Sequence, residues 1–321
     1  MGGIAHKVFE ITSKEDLEKI NLYAEYVHKP LVIIGLGSNS IFAETTDKYI
    51  IGLMKMTGIE IVFQIEKEIH VRAYAGEIWD DLVKWTVEHE LSGIEALSGI
   101  PGTVGASPIQ NIGAYGSDIS QTFVEAEVFD RTTKEFKTLS HEHCCFTYRD
   151  SIFKQNPKQY IIISVTFKLH TTPASIPQYK DVQEYFKQNQ NPSLIEIRNA
   201  IIEIRNRKIP DYKTVPNCGS FFKNPIITKE HLEQLRKTYP TIPSFELSNS
   251  LHKVYAGWLI EHIDYQSAQT EAIIFNQTNK LVLINQNNGT FDELQLVLDR
   301  ITHLAQEAYG ITLEPEPNIF N

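Results

Sequence analysis

Residues 35–40 read Gly-Leu-Gly-Ser-Asn-Ser, GLGSNS, directly after the short apolar run LVII at 31–34. How that loop is read decides the fold. A buried strand followed by Gly-x-Gly opens the dinucleotide fingerprint, in which a tight turn presents a pyrophosphate to a helix N-terminus. Here the third glycine is missing, Ile41 to Thr46 does not read as a helix, and a second apolar run, YIIGLM, follows at 49–54. The motif needs strand, turn and helix together, so the Rossmann reading fails.

Upstream, Ser13 to Asp16 (SKED) is a capping-box start for a helix with Leu17 and Ile20 on one face, leading into the 31–34 strand. Downstream, residues 59–74 are strand-like, and EIWDDLVKWTVEH at 77–89 is an amphipathic helix with Trp79, Leu82, Val83 and Val87 toward the core. The segment 93–117 then holds glycines at 93, 99, 102, 105, 113 and 116. It is too apolar for a flexible linker and too glycine-rich for a helix. Such a stretch suits backbone held close to something flat or phosphorylated; a tight structural loop is the plainer alternative.

Strand-like runs resume at 122–129 and 160–168, with CCFTYRDSIFK at 144–154 between them. A helix is marked at 194–206, capped by Ser193, with Leu194, Ile197, Ile201 and Ile204 inward and Pro210 ending it. It carries Arg205, Arg207 and Lys208 to its end. Beyond it come a helix at 228–238, another near 254–262 containing AGWLIE, a strand KLVLIN at 280–285, and a long helix opened by Thr290 and Glu293 and closed by Gly310. The tail ITLEPEPNIF is extended. There is no internal repeat and no low-complexity segment.

A chain of 321 residues implies two or three domains. No apolar run approaches the roughly 20 residues that span a bilayer, and the start, MGGIAHK, lacks the features of a secretory signal, so a cytoplasmic protein without membrane insertion is expected. Cys144, Cys145 and Cys218 form neither a disulfide framework nor a zinc set, and no metal centre is expected. The 30 Lys and Arg are spread among 40 acids for a net charge of −10, which argues against nucleic-acid binding. A small anionic ligand would need a local cationic pocket.

The run CGSFFKNP at 218–225 sets a small hydroxyl, Ser220, between a glycine and two aromatics, with Lys223 and Asn224 beyond. Alone, it reads first as a short buried strand, bracketed by Gly219 and Pro225, with a satisfied core hydroxyl. Together with GLGSNS at 35–40, GIPGTVGASPIQNIGAYG at 99–116, YRDSIFK at 148–154, KIPD at 208–211, AGWLIE at 256–261 and LEPE at 313–316, it resembles the UDP-N-acetylenolpyruvoylglucosamine reductase family over nearly the whole chain.

The resemblance implies an α+β protein with a vanillyl-alcohol-oxidase-type FAD-binding fold. Its two subdomains would be 1–54 and 55–208 with the tail 311–321, and a third α+β domain, 209–310, would bind substrate. It implies bound FAD, NADPH as co-substrate and a UDP-sugar substrate. Amides of Gly35, Gly37, Ser38, Asn39 and Ser40 would meet the FAD phosphates. Gly102, Gly105, Ala106 and Ser107 would lie against the cofactor, and Asn111, Gly113 and Ala114 would extend that wall. Ser220 would donate the proton that completes reduction, and Arg149 would pair with the substrate carboxylate, a role suited to a planar, permanently charged fork. Glu316 would complete the site. Tyr179, Lys208, Asn224 and Asn279 would contact the nucleotide or its phosphates.

Without the family, Arg149 would equally pair with Asp150, and Glu316 would be a solvated tail residue. One departure stands out: family members begin with a segment containing Asn-Thr-Phe ahead of the first helix, and MGGIAHKVF occupies that region here. In the family that segment lies near the flavin, so the departure leaves the tightness of FAD binding open. Two other functions are therefore kept open, an oxidoreductase acting on another substrate from the same flavin scaffold and a UDP-sugar-binding protein that has lost flavin.

Overall fold

The pairing of LVII with the run after GLGSNS is the first element of the fold. In a computed structural model, which describes residues 4–43, 45–173 and 175–320, Leu31–Ile34 lies parallel to Thr45–Met54, Leu31 opposite Ile50 and Ile34 opposite Leu53. Ile4–Ile11 completes this three-stranded sheet on the other side of Thr45–Met54. The Lys14–Tyr26 helix between them is capped by Ser13, whose side chain accepts the Asp16 amide, and it buries Leu17, Ile20 and Ala24.

A second sheet runs in the order Glu135–Ser140, Phe123–Asp130, Tyr160–His170, Glu68–Tyr74, Ile59–Ile65, antiparallel throughout. The central strand, YIIISVTFKLH, is nearly continuous in apolar residues because both its faces are covered. The Trp79–Glu88 helix buries Trp79, Leu82, Val83 and Val87, as its periodicity predicts. Both sheets share one core. A smaller cluster of Val182, Phe186, Ile197, Ala200, Ile201 and Ile204 lines the Leu194–Lys208 helix, which continues past its expected end at 206.

The chain divides into two compact units, one of Ala5–Ser38 and Asp47–Arg205, the other of Met1–Ile4, Asn39–Thr46 and Asn206–Asn321. In the second unit, one sheet joins Asn217–Ser220, Val282–Asn285 and Ile273–Phe275, and another joins Ile226–Thr228, Leu251–Val254 and Ser244–Ser248. The Phe291–Tyr309 helix has the full capping box at Thr290 and Glu293, and Gly310 ends it in the left-handed conformation at φ +64°. Its apolar face, Leu294, Val297, Leu298 and Ile301, packs into a core shared with Phe221 and Phe222. Among the described residues no helix is long and apolar enough to cross a membrane, and no group of three His, Cys, Asp or Glu could hold a metal ion.

Candidate functional site

In the first unit the two glycine-bearing loops touch. A Cβ at Gly35 would lie 2.2 Å from Thr103 Oγ1, so this approach requires glycine. Ser38 Oγ donates to the Pro101 carbonyl at 3.1 Å. Among the described residues, the amides of Leu36, Gly37 and Ser38 donate to no protein acceptor. The facing loop is fixed by main-chain bonds from Trp79 N to Gly102 O (3.1 Å), Val104 N to Glu77 O (2.8 Å) and Gly105 N to Ala75 O (2.9 Å). Ala106 is exposed on it.

Two residues of this loop turn inward. The Ser107 hydroxyl is buried and donates to Val104 O at 2.7 Å, within the loop's own turn. Asn111, also buried, donates to Thr147 O at 3.2 Å and accepts the Ser120 amide at 3.1 Å. Their side chains hold the loop's shape, so their part in any ligand contact falls to the backbone.

Gly113–Ala114 pairs with Ser117–Asp118, and a Cβ at Gly113 would lie 2.8 Å from the Asp118 Cβ. The Gly113 carbonyl accepts Arg149 Nη2 at 2.9 Å. Arg149 has φ +54°, an uncommon value for a non-glycine residue, and its carbonyl is held by Lys154 Nζ at 3.1 Å. Ser151 Oγ donates to Ile109 O at 2.7 Å, so YRDSIFK and the glycine-rich loop are tied at several points. The Asp150 carboxylate accepts the Ser151 amide and Gln155 Nε2. Tyr179 stands at the N-cap position of the Lys180–Tyr185 helix, with no side-chain capping bond, and meets Tyr115 edge-on, with ring centroids 5.3 Å apart.

In the second unit Ser220 ends the Asn217–Ser220 strand opposite Val282, and Phe221 and Phe222 beyond it are buried. The tail lies alongside. Phe221 O accepts the Glu316 amide at 2.7 Å, and Lys223 N donates to Glu314 O at 3.0 Å. Asn318–Phe320 pairs in parallel with Ser40–Phe42, Asn39 O accepts the Asn318 amide at 2.9 Å, and Asn39 Nδ2 reaches Glu316 O at 3.4 Å. Ser220, Glu316, Asn39 and Ser40 are therefore brought into one neighbourhood.

Other candidates have local duties. Asn224 Oδ1 accepts the Ala256 amide at 3.0 Å and so caps the Ala256–Glu261 helix, whose own cap residue, Tyr255, provides no side-chain bond. Asn279 Oδ1 accepts the Leu281 amide at 3.1 Å inside a turn. Lys208 is the last residue of its helix. Lys223 pairs with Glu314 at 2.8 Å. Burial pushes the Cys218 thiol up to about 12, with the Glu316 charge adding to it, so this cysteine behaves as packing. Sequence reasoning missed the fork between Asp80 and Arg198, two residues 118 positions apart with no local signal joining them.

Residues 5–138 match the FAD binding domain family, and residues 210–320 match the C-terminal domain of UDP-N-acetylenolpyruvoylglucosamine reductase. A UDP-N-acetylenolpyruvoylglucosamine reductase of Flavobacterium johnsoniae is 36% identical over 322 aligned positions, covering 99% of this chain and 95% of the relative. One of Polynucleobacter asymbioticus is 36% identical, covering 98% and 91%. The crystal structure of the Thermus caldophilus reductase superposes with a TM-score of 0.63 at 18% identity, over 98% of this chain and 92% of that one, a likeness of fold. The vanillyl-alcohol-oxidase-type FAD-binding fold with an added α+β domain is thus the fold of this chain. With relatives above 30% identity along almost its entire length and both domain families in order, the chain belongs to the UDP-N-acetylenolpyruvoylglucosamine reductase family.

Proposed function

We propose that this protein reduces the enolpyruvyl ether of UDP-N-acetylglucosamine to UDP-N-acetylmuramate for peptidoglycan synthesis, in the cytoplasm, using bound FAD and electrons from NADPH. The amides of residues 36–38, which have no protein acceptor among the described residues, suit the FAD pyrophosphate, and the glycine loop packed on them suits a flat ring system. In this reading 1–54 and 55–208 with the tail are the FAD-binding part, and 209–310 covers the substrate.

FAD, when bound, supplies hydride chemistry. The chain's own residues supply the rest. Arg149 pairs with the substrate carboxylate and strengthens its hold as negative charge develops on the adjacent carbon. The Ser220 hydroxyl gives that carbon its proton, and Glu316 completes the charge environment. Lys208, Tyr179, Asn224 and Asn279 take the nucleotide diphosphate.

The observation that carries the reading is the 2.7 Å bond from the Glu316 amide to the Phe221 carbonyl, which sets the tail acid beside the strand of the proposed proton donor. Rapid mixing of NADPH-reduced holoenzyme with the enolpyruvyl compound tests it. Return of the oxidised flavin band on the timescale of turnover supports the assignment. Reduced flavin indifferent to the compound would sink it.

A further inference from the structure

Asp80 stands in the first turn of the Trp79–Glu88 helix and binds two partners distant in sequence. Its carboxylate makes a fork with Arg198 of the Leu194–Lys208 helix, Nη1 to Oδ1 at 2.7 Å and Nη2 to Oδ2 at 2.8 Å. The same Oδ1 accepts the Gly99 amide at 2.6 Å. The Arg198 side chain is 8% exposed and that of Asp80 33%, so the pair is largely withdrawn from water. Burial works to raise the Asp80 carboxyl, but the bonds from Arg198 and the Gly99 amide outweigh it and hold it below its ordinary value.

Gly99 begins the loop that continues through Gly102, Gly105 and Ala106. Its φ is +72°, and a Cβ there would come within 3.2 Å of Arg205 Cδ, seven residues beyond Arg198 on the same helix. The main-chain bonds at Gly102, Val104 and Gly105 all reach back to Ala75–Trp79. The Asp80 carboxylate joins this loop to the Leu194–Lys208 helix as well, through one oxygen shared between a guanidinium and a loop amide. Removing Asp80 takes this partner from a buried guanidinium, and removing Arg198 leaves the half-buried carboxylate with the Gly99 amide alone.

We propose that Asp80 and Arg198 are positioning residues for the flavin: the fork fixes where the 99–107 loop stands, and through the loop it sets the affinity for FAD and the midpoint potential of the bound flavin. The inference rests on the reading of 99–107 as a wall of the flavin site.

The test uses the full chain stripped of FAD and titrated with FAD, followed by the midpoint potential of each reloaded variant and thermal melting of each stripped one. Asp80→Ala removes all three bonds, the two from Arg198 and the one from the Gly99 amide. Asp80→Asn keeps an oxygen for Gly99 and loses the charge, and Arg198→Met removes the guanidinium alone. The Kd for FAD rises roughly tenfold in Asp80→Ala, the worth of one lost bond to a charged acceptor, and less in the other two, with the potential displaced in the same order. A lowered melting point with Kd and potential both as in the unaltered protein would show a purely structural pair and overturn the proposal. If Asp80→Ala does not fold, Asp80→Asn and Arg198→Met decide the question by the same two readouts. Gly102→Leu separates the underlying reading: unchanged FAD affinity there removes the loop from the flavin site and the proposal with it. Loss of FAD in Gly102→Leu, with normal affinity and potential in the Asp80 and Arg198 variants, overturns the fork's role alone.

Discussion

Arg149 Nη2 donates to the Gly113 carbonyl at 2.9 Å, which ties the residue proposed to hold the substrate carboxylate to the glycine-rich loop proposed to hold the flavin. Lys154, from the same YRDSIFK segment, donates to the carbonyl of Arg149 at 3.1 Å and so steadies a backbone held at φ +54°. One nitrogen of a guanidinium can be anchored while its other N–H groups face a ligand; a lysine ammonium has a single centre and cannot divide itself this way. Arg149→Lys therefore lowers kcat/KM for the enolpyruvyl substrate about 100-fold while flavin reduction by NADPH stays within about twofold. Stopped-flow separation of the two half-reactions checks this. Equal losses in both halves would assign Arg149 to the flavin rather than the substrate.

Ser220→Ala makes a complementary separation. The strand is set by its neighbours, since Phe221 and Phe222 are buried and Phe221 exchanges main-chain bonds with Leu281 and Glu316, so loss of one half-buried hydroxyl leaves the fold intact. NADPH-driven reduction continues at nearly its normal rate, and re-oxidation by substrate slows by about 100-fold or more, the usual worth of a positioned proton donor. Normal re-oxidation in this variant would remove Ser220 from the chemistry.

Much of this was legible in the residues, and the rest was hidden for identifiable reasons. The Thr290–Glu293 box and Gly310 mark both ends of the Phe291–Tyr309 helix because capping is a local matter of which side chain can reach which orphan amide. The start of the Ala256–Glu261 helix was less sharp because its cap comes from Asn224, thirty-two positions upstream. Ser107 and Asn111 look like loop polar groups in sequence, yet both are buried, Ser107 bonding to the loop's own Val104 carbonyl and Asn111 to the Thr147 carbonyl and the Ser120 amide beyond it. The parallel pairing of Asn318–Phe320 with Ser40–Phe42 has no periodicity that could announce it, because it depends on where the tail is returned.

The three cysteines divide by burial. Cys145 is exposed, whereas burial pushes both Cys144 and Cys218 up to about 12. The thiolate is the reactive form, so at pH 8 the folded protein shows one fast thiol toward a chromogenic disulfide and all three only after denaturation. Replacing Cys145 with Ser abolishes the fast phase. A fast phase that survives that substitution would place reactivity beside Ser220, at Cys218.

Asp130 makes stability depend on acid in a calculable direction. It is 1% exposed at the end of the Phe123–Asp130 strand, where burial alone would raise its carboxyl. The ammonium of Lys137, the Thr132 amide at 2.8 Å and Gln159 Nε2 at 3.3 Å outweigh that and hold it at about 2, against an ordinary value of 3.8. The unfolded chain thus takes up the proton first on acidification. The stabilisation is complete above 3.8 and drains away as the pH falls toward about 2. Asp130→Asn accordingly lowers the unfolding free energy at pH 7 by about 1–3 kcal/mol, the range for bonds to a buried charge. The gap between the two proteins, read from urea titrations at a series of pH values, narrows as the pH drops through that window. A gap of constant size from pH 7 to pH 2 would mean that Asp130 acts through its shape and not through its charge.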